Sequence, residues 1–164
     1  MTHFTRIFLS AIVAVCMQTT THAQLRVGQT APSVILPSLS GDSISLTSLR
    51  GKYVLVDFWA SWCWPCRRSN KKLRKDIYPA YKNKGFEIVG ISLDRSESAW
   101  KRAVKKDKIN WLQLIDTRGE ESSTGMEWGA YVIPTSYLLD QQGKIIATDP
   151  TPEELAALLK DILK

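Results

Sequence analysis

The chain has 164 residues, of which 44% are apolar and 23% are charged, and its formal net charge is +6. This length and composition predict one globular domain with its own hydrophobic core, and they exclude a fibrous repeat or a largely disordered chain. The basic charge favours solubility over nucleic-acid binding, because no nucleic-acid-binding motif accompanies it. We therefore expect no nucleic-acid partner.

The amino-terminal segment 1–23 differs in character from the rest of the chain. A basic residue, Arg6, precedes a short apolar run at residues 7–15. Small residues ending with Ala23 then precede the expected cleavage site. This order is typical of a secretory signal peptide cleaved after Ala23. The run is too short to cross a bilayer as a helix. The sequence therefore predicts export to the periplasm or another extracytoplasmic compartment.

Cleavage leaves residues 24–164 as the mature domain, with 21 basic and 16 acidic residues and a net charge of +5. It also removes Cys16, so that Cys63 and Cys66 are the remaining cysteines. Two cysteines three positions apart close too short a loop to stabilise a secreted fold, and we expect them to be reactive. Two alternatives for the leading segment stay open: a lipoprotein anchored through Cys16, although Val15 fits that motif poorly, and a buried N-terminal strand.

Two apolar runs mark the centre of the predicted fold. Residues 52–59 (KYVLVDFW) and 86–93 (FEIVGISL) are nearly continuous apolar and β-branched segments. Such runs are typical of central strands that are buried on both faces of a sheet. Before them, residues 24–51 contain short alternating pieces broken by glycine and proline, which predict an N-terminal β-hairpin packed against the sheet.

The segment between the two runs predicts a helix that begins near Trp64. Pro79 is expected to kink or end this helix, and Gly85 is expected to close the segment. The residues expected on the buried side of the helix are Cys66, Leu73, Ile77 and Ala80.

The rest of the chain alternates helix and strand signals. Ser96 caps a predicted helix, residues 111–115 predict a short strand, and residues 120–128 predict one or two helical turns. Residues 135–148 predict a β-hairpin, and Thr151 begins a capping box for a final helix. The residues expected on the buried face of that helix are Leu155, Leu158, Leu159 and Ile162. This order of elements predicts an α/β sandwich with one sheet covered on both faces.

Cys63 and Cys66 lie where a predicted strand ends and a helix begins. Only a thiolate attacks a disulfide, and the free N–H groups at the start of a helix stabilise that anion. Pro65 fits the first turn because its missing N–H has no helical partner to lose. We therefore expect Cys63 to be the exposed nucleophile and Cys66, on the inward face, to be the resolving thiol.

Two other interpretations of the cysteine pair are a zinc half-site and an inert structural disulfide. Zinc uses four ligands, and both histidines, His3 and His22, lie in the segment expected to be cleaved, so no metal is expected. A structural bridge is disfavoured because so short a loop removes little entropy from the unfolded chain. No cofactor is expected beyond the redox-active Cys63–Cys66 disulfide.

The segment FWASWCWPC, residues 58–66, resembles the active-site segment of thioredoxins. The wider chain resembles the exported TlpA/ResA-like branch of the thioredoxin-like superfamily. Residues 28–32 and 41–52 are similar to its N-terminal extension, and residues 138–145 are similar to its last hairpin. The resemblance implies a thioredoxin-like sandwich, with a central mixed β-sheet flanked by helices and an N-terminal β-hairpin extension. Peroxiredoxins share the extension, but the motif around their peroxidatic cysteine is absent before Cys63.

The resemblance also implies roles for residues around the dithiol. Trp62, Trp64 and Pro65 flank the two cysteines and form a contact surface for substrate. Ile133 offers backbone hydrogen bonds to an extended substrate segment. Pro134, after a cis peptide bond, holds its loop against the sulfurs.

Asp57 matches the buried aspartate of thioredoxins. Burial in an apolar strand raises the pKa of a carboxyl, so Asp57 is expected to accept the proton of Cys66. The alternative is a structural aspartate bridged to a lysine or to water. Relatives often carry an acidic residue three positions after the second cysteine, where this chain has Ser69.

A run of basic residues follows the dithiol, and most of them are expected to form a solvated helix face. Arg67 lies one turn after Cys63 and is expected either to favour its thiolate or to meet an acidic partner. The run consists of Arg67, Arg68, Lys71, Lys72, Arg74 and Lys75.

Together these features predict an exported thiol–disulfide oxidoreductase. We expect it to reduce disulfides of exported client proteins, as in cytochrome c maturation, and to be recharged by a membrane thiol–disulfide electron donor. Only 67 residues separate Cys66 from Pro134, too few for the helical insertion of disulfide-forming relatives, which favours reduction. We expect a monomer. The alternative is a redox-inactive protein-binding or chaperone module on the same fold, which the intact dithiol disfavours.

Overall fold

The fold is described by a computed structural model that covers residues 24–119 and 122–163. The predicted signal peptide at 1–23, including Cys16, lies outside the described residues. Within these two ranges, no helix has both the length and the apolar character needed to cross a membrane.

The described residues form strands and helices in nearly the predicted order. The strands are β1 (Ile35–Pro37), β2 (Ser43–Ser45), β3 (Tyr53–Trp59), β4 (Phe86–Ser92), β5 (Leu112–Ile115), β6 (Thr135–Leu139) and β7 (Ile145–Thr148). The α-helices are α1 (Trp64–Lys72), α2 (Tyr78–Tyr81), α3 (Glu97–Asp107), α4 (Ser123–Glu127) and α5 (Pro152–Ile162). Ser96 caps α3, and Thr151 forms the predicted capping box with Glu154 at the start of α5.

Five strands form one mixed sheet in the order β5-β4-β3-β6-β7. β3 pairs in parallel with β4, and β4 with β5, while β6 runs antiparallel to both of its neighbours. The helical crossovers between the parallel strands are what parallel pairing requires. β1 and β2 form a separate antiparallel hairpin, so the predicted extension and thioredoxin-like sandwich are confirmed.

The sheet separates two apolar clusters. Because side chains alternate along a strand, β3 contributes to both. Leu55 and Trp59 join Cys63 and Cys66 in the cluster beneath α1, α3 and α5, which we call the dithiol face. The opposite cluster, the far face, contains Phe58 and residues of the N-terminal hairpin.

Two expectations about helix faces are wrong. Ala80 is exposed, because residues 73–77 form a π-helical turn whose extra residue rotates the buried side onto Tyr78. Of the kink or end expected at Pro79, the end does not occur, because α2 continues through Pro79 to Tyr81, and the helix is irregular just before the proline, in the π-helical turn. Leu158 is 36% exposed, whereas its neighbour Leu159 is buried. Leu158 lies at the edge of the apolar face of α5, in a groove beside β7, the last strand of the sheet.

Candidate active site

The two cysteines lie at the junction between β3 and α1, as predicted. Cys63 is the N-cap of α1, and its Sγ accepts a hydrogen bond of 3.2 Å from the backbone N–H of Cys66. The two residues form a disulfide with a Cα–Cα distance of 5.4 Å. Pro65 occupies the first turn, where its ring costs no helical hydrogen bond. The junction therefore directs the backbone N–H of Cys66 at the sulfur of Cys63.

Cys63 is less exposed than the sequence predicted. It is 4% exposed and Cys66 is 1% exposed. As the N-cap, Cys63 turns its sulfur back over the first turn of α1 and bonds to Cys66, which encloses it. The flanking rings of Trp62 and Trp64 are 58% and 69% exposed. Two exposed indole rings therefore lie beside a nearly enclosed sulfur.

The loop before β6 borders the same region. The Ile133–Pro134 peptide bond is cis, as the resemblance implied. Ile133 packs against the apolar cluster that contains both cysteines. It also lines a shallow groove of about 200 Å³ together with Trp62, Tyr131 and Val132. The groove runs from the dithiol loop to the cis-proline loop.

Sequence reasoning missed the apolar surface that precedes the cis bond. Tyr131 is 45% exposed, Val132 is 76% exposed, and Met126 in α4 is 43% exposed. Exposed large apolar side chains that lie close together are typical of protein contact surfaces. The position of Tyr131 and Val132 directly before Ile133–Pro134 was the signal in the sequence that could have revealed this surface.

A buried aspartate anchors the loop that leads into the dithiol. Asp94, which is 2% exposed, accepts hydrogen bonds from the backbone N–H and the hydroxyl of Ser61 at 2.8 and 2.6 Å. It also accepts one from the hydroxyl of Ser92. Sequence reasoning missed Asp94. The available signal was its position, because Asp94 follows β4 as Ser61 follows β3, and the carboxyl ends of parallel strands meet at one sheet edge.

Arg67 is paired with other groups of the fold. Its Nε and Nη2 donate to the carboxylate of Asp107 on α3 at 2.6 and 2.9 Å, and its Nη1 donates to the carbonyl of Ser61 at 3.3 Å. These contacts hold the pKa of Arg67 above its ordinary value. The acidic group that Arg67 meets is therefore Asp107 of the same chain, and the expected effect of Arg67 on the Cys63 thiolate stays a prediction.

Asp57 lies in the middle of β3, on the dithiol face between Leu55 and Trp59. It is 4% exposed, and its Oδ2 has no hydrogen-bond partner among the described residues. Burial, with a smaller contribution from the charge of Asp149, raises the pKa of Asp57 from 3.8 to about 7. A carboxyl with such a pKa exchanges protons readily near neutral pH.

A polar row crosses the sheet beside Asp57. Gly90 on β4 is its register partner, and a Cβ at Gly90 would overlap the side chain of Gln113 on β5. The Oε1 of Gln113 accepts a hydrogen bond of 3.1 Å from the indole N–H of Trp59. Gly90 thus makes room for the amide of Gln113 next to Trp59, and sequence reasoning missed this pair.

Ser69, at the position where the resemblance implied an acidic residue, is half-buried on α1. The next residue, Asn70, is 1% exposed. As for metals, residues 24–119 and 122–163 contain no group of three or more His, Cys, Asp or Glu side chains able to hold an ion.

Comparisons with known proteins agree with this geometry. Residues 27–148 match the model of the AhpC/TSA family. The thiol-disulfide oxidoreductase ResA of Bacillus thuringiensis subsp. konkukian is 34% identical over 146 residues, which cover 87% of this chain and 82% of that protein.

Solved structures give the same result. The thioredoxin domain of a thiol-disulfide oxidoreductase from Bacteroides vulgatus has a TM-score of 0.80 and 35% identity, covering 86% of this chain and all of that one. A thiol-disulfide oxidoreductase from Bacteroides fragilis has a TM-score of 0.77 and 39% identity, covering 82% of this chain and all of that one. The chain therefore belongs to the AhpC/TSA family of thioredoxin-like proteins, and it is a thiol–disulfide oxidoreductase.

Proposed function

We propose that this protein reduces disulfides of exported proteins outside the cytoplasm through the Cys63/Cys66 dithiol. The observation that carries the proposal is the disulfide-forming pair at the start of α1, next to the cis-proline loop and surrounded by exposed apolar side chains. A redox-inactive binding module has no use for such a pair.

The reaction begins with the reduced protein. The Cys63 thiolate attacks one sulfur of the client disulfide, which forms a mixed disulfide and releases the other client sulfur as a thiolate. Cys66 then loses its proton and attacks Cys63. This step restores the Cys63–Cys66 disulfide and releases the second client thiol. Two electrons have passed from the protein to the client.

Asp57 accepts the proton that Cys66 loses in the second step. Its position on the dithiol face and its pKa of about 7 support this role, because a base works best when its pKa is near the working pH. Ser69 has no carboxyl and cannot replace it. The structural alternative for Asp57 is a bridge to a lysine or to water, and its Oδ2 has no hydrogen-bond partner among the described side chains.

The surface around the dithiol binds the client. Trp62, Trp64 and Pro65 form one side of the contact, and the backbone of Ile133 pairs with an extended client segment beside Pro134. The groove of about 200 Å³ between Trp62 and Ile133 supports this placement. The protein acts as a monomer, so that both loops remain open to the client.

Reduction outside the cytoplasm requires a source of electrons. A membrane thiol–disulfide carrier therefore recharges the Cys63/Cys66 pair after each cycle, and maturation of cytochrome c is a process that uses such a reductant. The short connection between Cys66 and Pro134 supports the reductive direction, because no helical insertion of the kind found in disulfide-forming relatives fits there.

Trapping of clients tests the two cysteine roles. Cys66→Ser, produced in the cell, should accumulate mixed disulfides through Cys63, because the resolving thiol is absent. Cys63→Ser is the matched control and should trap none. Non-reducing electrophoresis detects the adducts. Equal trapping by the two variants would contradict the assignment.

A further inference from the structure

Asn70 is a buried side chain that the proposed reaction does not yet use. It is 1% exposed, and neither its Oδ1 nor its Nδ2 has a hydrogen-bond partner among the described residues. A buried primary amide without partners is rare in folded proteins, because it gives up its bonds to water and receives none in return. Such a group therefore needs a reason to be retained.

The position of Asn70 points to Cys66. These two residues are the buried positions of α1, and they are four residues apart, one turn along the same face. Side chains of a helix tilt toward its N-terminus, so the amide of Asn70 extends over the turn that holds the sulfur of Cys66. Asp57 lies in the facing strand, on the same side of the sheet.

The redox state of Cys66 decides what the amide can bind. In the disulfide, this sulfur carries no proton and no charge, and Asn70 makes no hydrogen bond to it. In the reduced protein and in the mixed disulfide, it is a thiol or a thiolate. A carboxamide suits both forms, because its carbonyl accepts from S–H and its N–H donates to a thiolate.

We propose that Asn70 is a positioning residue that hydrogen-bonds to the Cys66 sulfur whenever the disulfide is open. The inference rests on the proposed dithiol function and deepens it. The bond orients Cys66 for its attack on the mixed disulfide. It also stabilises the reduced protein relative to the oxidised protein, in which the amide lacks a partner.

A second group could also bind the amide. Arg74 lies one turn further along, and its Nε is buried without a hydrogen-bond partner among the described residues. If Asn70 served only to hold Arg74, its removal would change the stability of both redox states equally. The reduction potential would then stay constant, and this difference separates the two roles.

The test uses the full chain with Asn70→Leu, which keeps the volume and removes the amide. Equilibration with glutathione measures the equilibrium between the dithiol and the disulfide. In Asn70→Leu this equilibrium should shift about tenfold toward the disulfide, which makes the reduction potential about 30 mV more negative. Urea unfolding should show the oxidised variant stabilised and the reduced variant not. Ser69→Ala and Arg74→Met are the matched controls, and both should keep the wild-type potential.

Other outcomes decide against the inference. An unchanged potential in Asn70→Leu, or an equal shift in Arg74→Met, would overturn it while leaving the dithiol function intact. A wild-type protein that exchanges no disulfide with glutathione would overturn the proposed function as well. If Asn70→Leu does not fold, Asn70→Ala replaces it and should also have a more negative reduction potential than wild type. A reduction potential of Asn70→Ala equal to that of wild type would overturn the inference.

Discussion

The two faces of β3 are packed in different ways. The far face is entirely apolar along this strand, with Val54, Val56 and Phe58. The dithiol face contains Asp57, and α1, which packs on this face, contributes Asn70. Both are buried polar side chains that have atoms without partners among the described residues. One face serves packing alone, whereas the other retains polar groups at a cost in stability next to the reactive sulfurs. We therefore expect far-face changes to affect stability and dithiol-face changes to affect redox chemistry.

Phe58→Ala should have the largest effect on stability. Phe58 is fully buried and contacts the rings of Trp128 and Tyr137, with centroids 5.6 and 6.4 Å away. Its truncation leaves a cavity and should lower the free energy of unfolding by about 3–5 kcal/mol. Urea denaturation of the oxidised protein measures this loss.

The far-face variant also tests the separation of the two faces. The potential of the folded Phe58→Ala protein, measured against glutathione, should equal that of wild type. A shift of the potential comparable with that expected for Asn70→Leu would contradict the contrast between the faces.

Asp57→Asn should stabilise the protein instead of destabilising it, and the effect should depend on pH. Because burial raises the folded-state pKa of Asp57 from 3.8 to about 7, the folded protein holds a proton that the unfolded chain releases in this window. This group therefore lowers stability as pH rises from about 4 to about 7. Asp57→Asn should be close to wild type in stability near pH 4 and roughly 4 kcal/mol more stable at pH 8. Parallel urea curves across this range test the difference, and a pH-independent difference would refute the burial effect.

The same residue gives a kinetic test on the dithiol face. Asp57→Ala should slow release of the client from the mixed disulfide more than it slows formation of the mixed disulfide, because only release requires deprotonation of Cys66. Loss of a general base typically costs about 100-fold or more. Stopped-flow traces resolve the two phases. If both phases keep their wild-type rates, Asp57 is structural only.

The smallest effect is expected from Thr151→Ala. The Thr151 side chain accepts from the N–H of Glu154 and caps α5, whose Leu155 and Leu159 pack in the same cluster as the cysteines. Loss of the cap should lower the free energy of unfolding by about 1 kcal/mol. The reduction potential of the Cys63/Cys66 pair should not change, since no group near the sulfurs is altered. A changed potential would mean that general stability, rather than local chemistry, sets the redox behaviour.

The order of the elements and the position of the dithiol were predictable from local patterns. Apolar runs identified β3 and β4, and the strand-to-helix junction placed Cys63 at the start of α1. Caps at Ser96 and Thr151 were also visible, because they depend on a few neighbouring residues.

Features that depend on contacts between distant segments were not predictable. The pairing of Arg67 with Asp107 needs the packing of α1 on α3, and the anchoring of Ser61 by Asp94 needs two strand ends to meet. The exposure of Ala80 follows from a π-helical turn that no local pattern indicated. The burial of Cys63 follows from its cap geometry and its bond to Cys66, not from the character of its neighbours.

The reduction potential of the wild-type dithiol tests the proposed reductase function most directly. Equilibration of the full chain with glutathione, followed by thiol labelling of Cys63 and Cys66, gives this value. We expect a potential close to that of thioredoxin, about −270 mV, which suits a donor of electrons to client disulfides. A potential near that of strong periplasmic oxidants, about −120 mV, would contradict the proposed direction and would identify the protein as a disulfide donor instead.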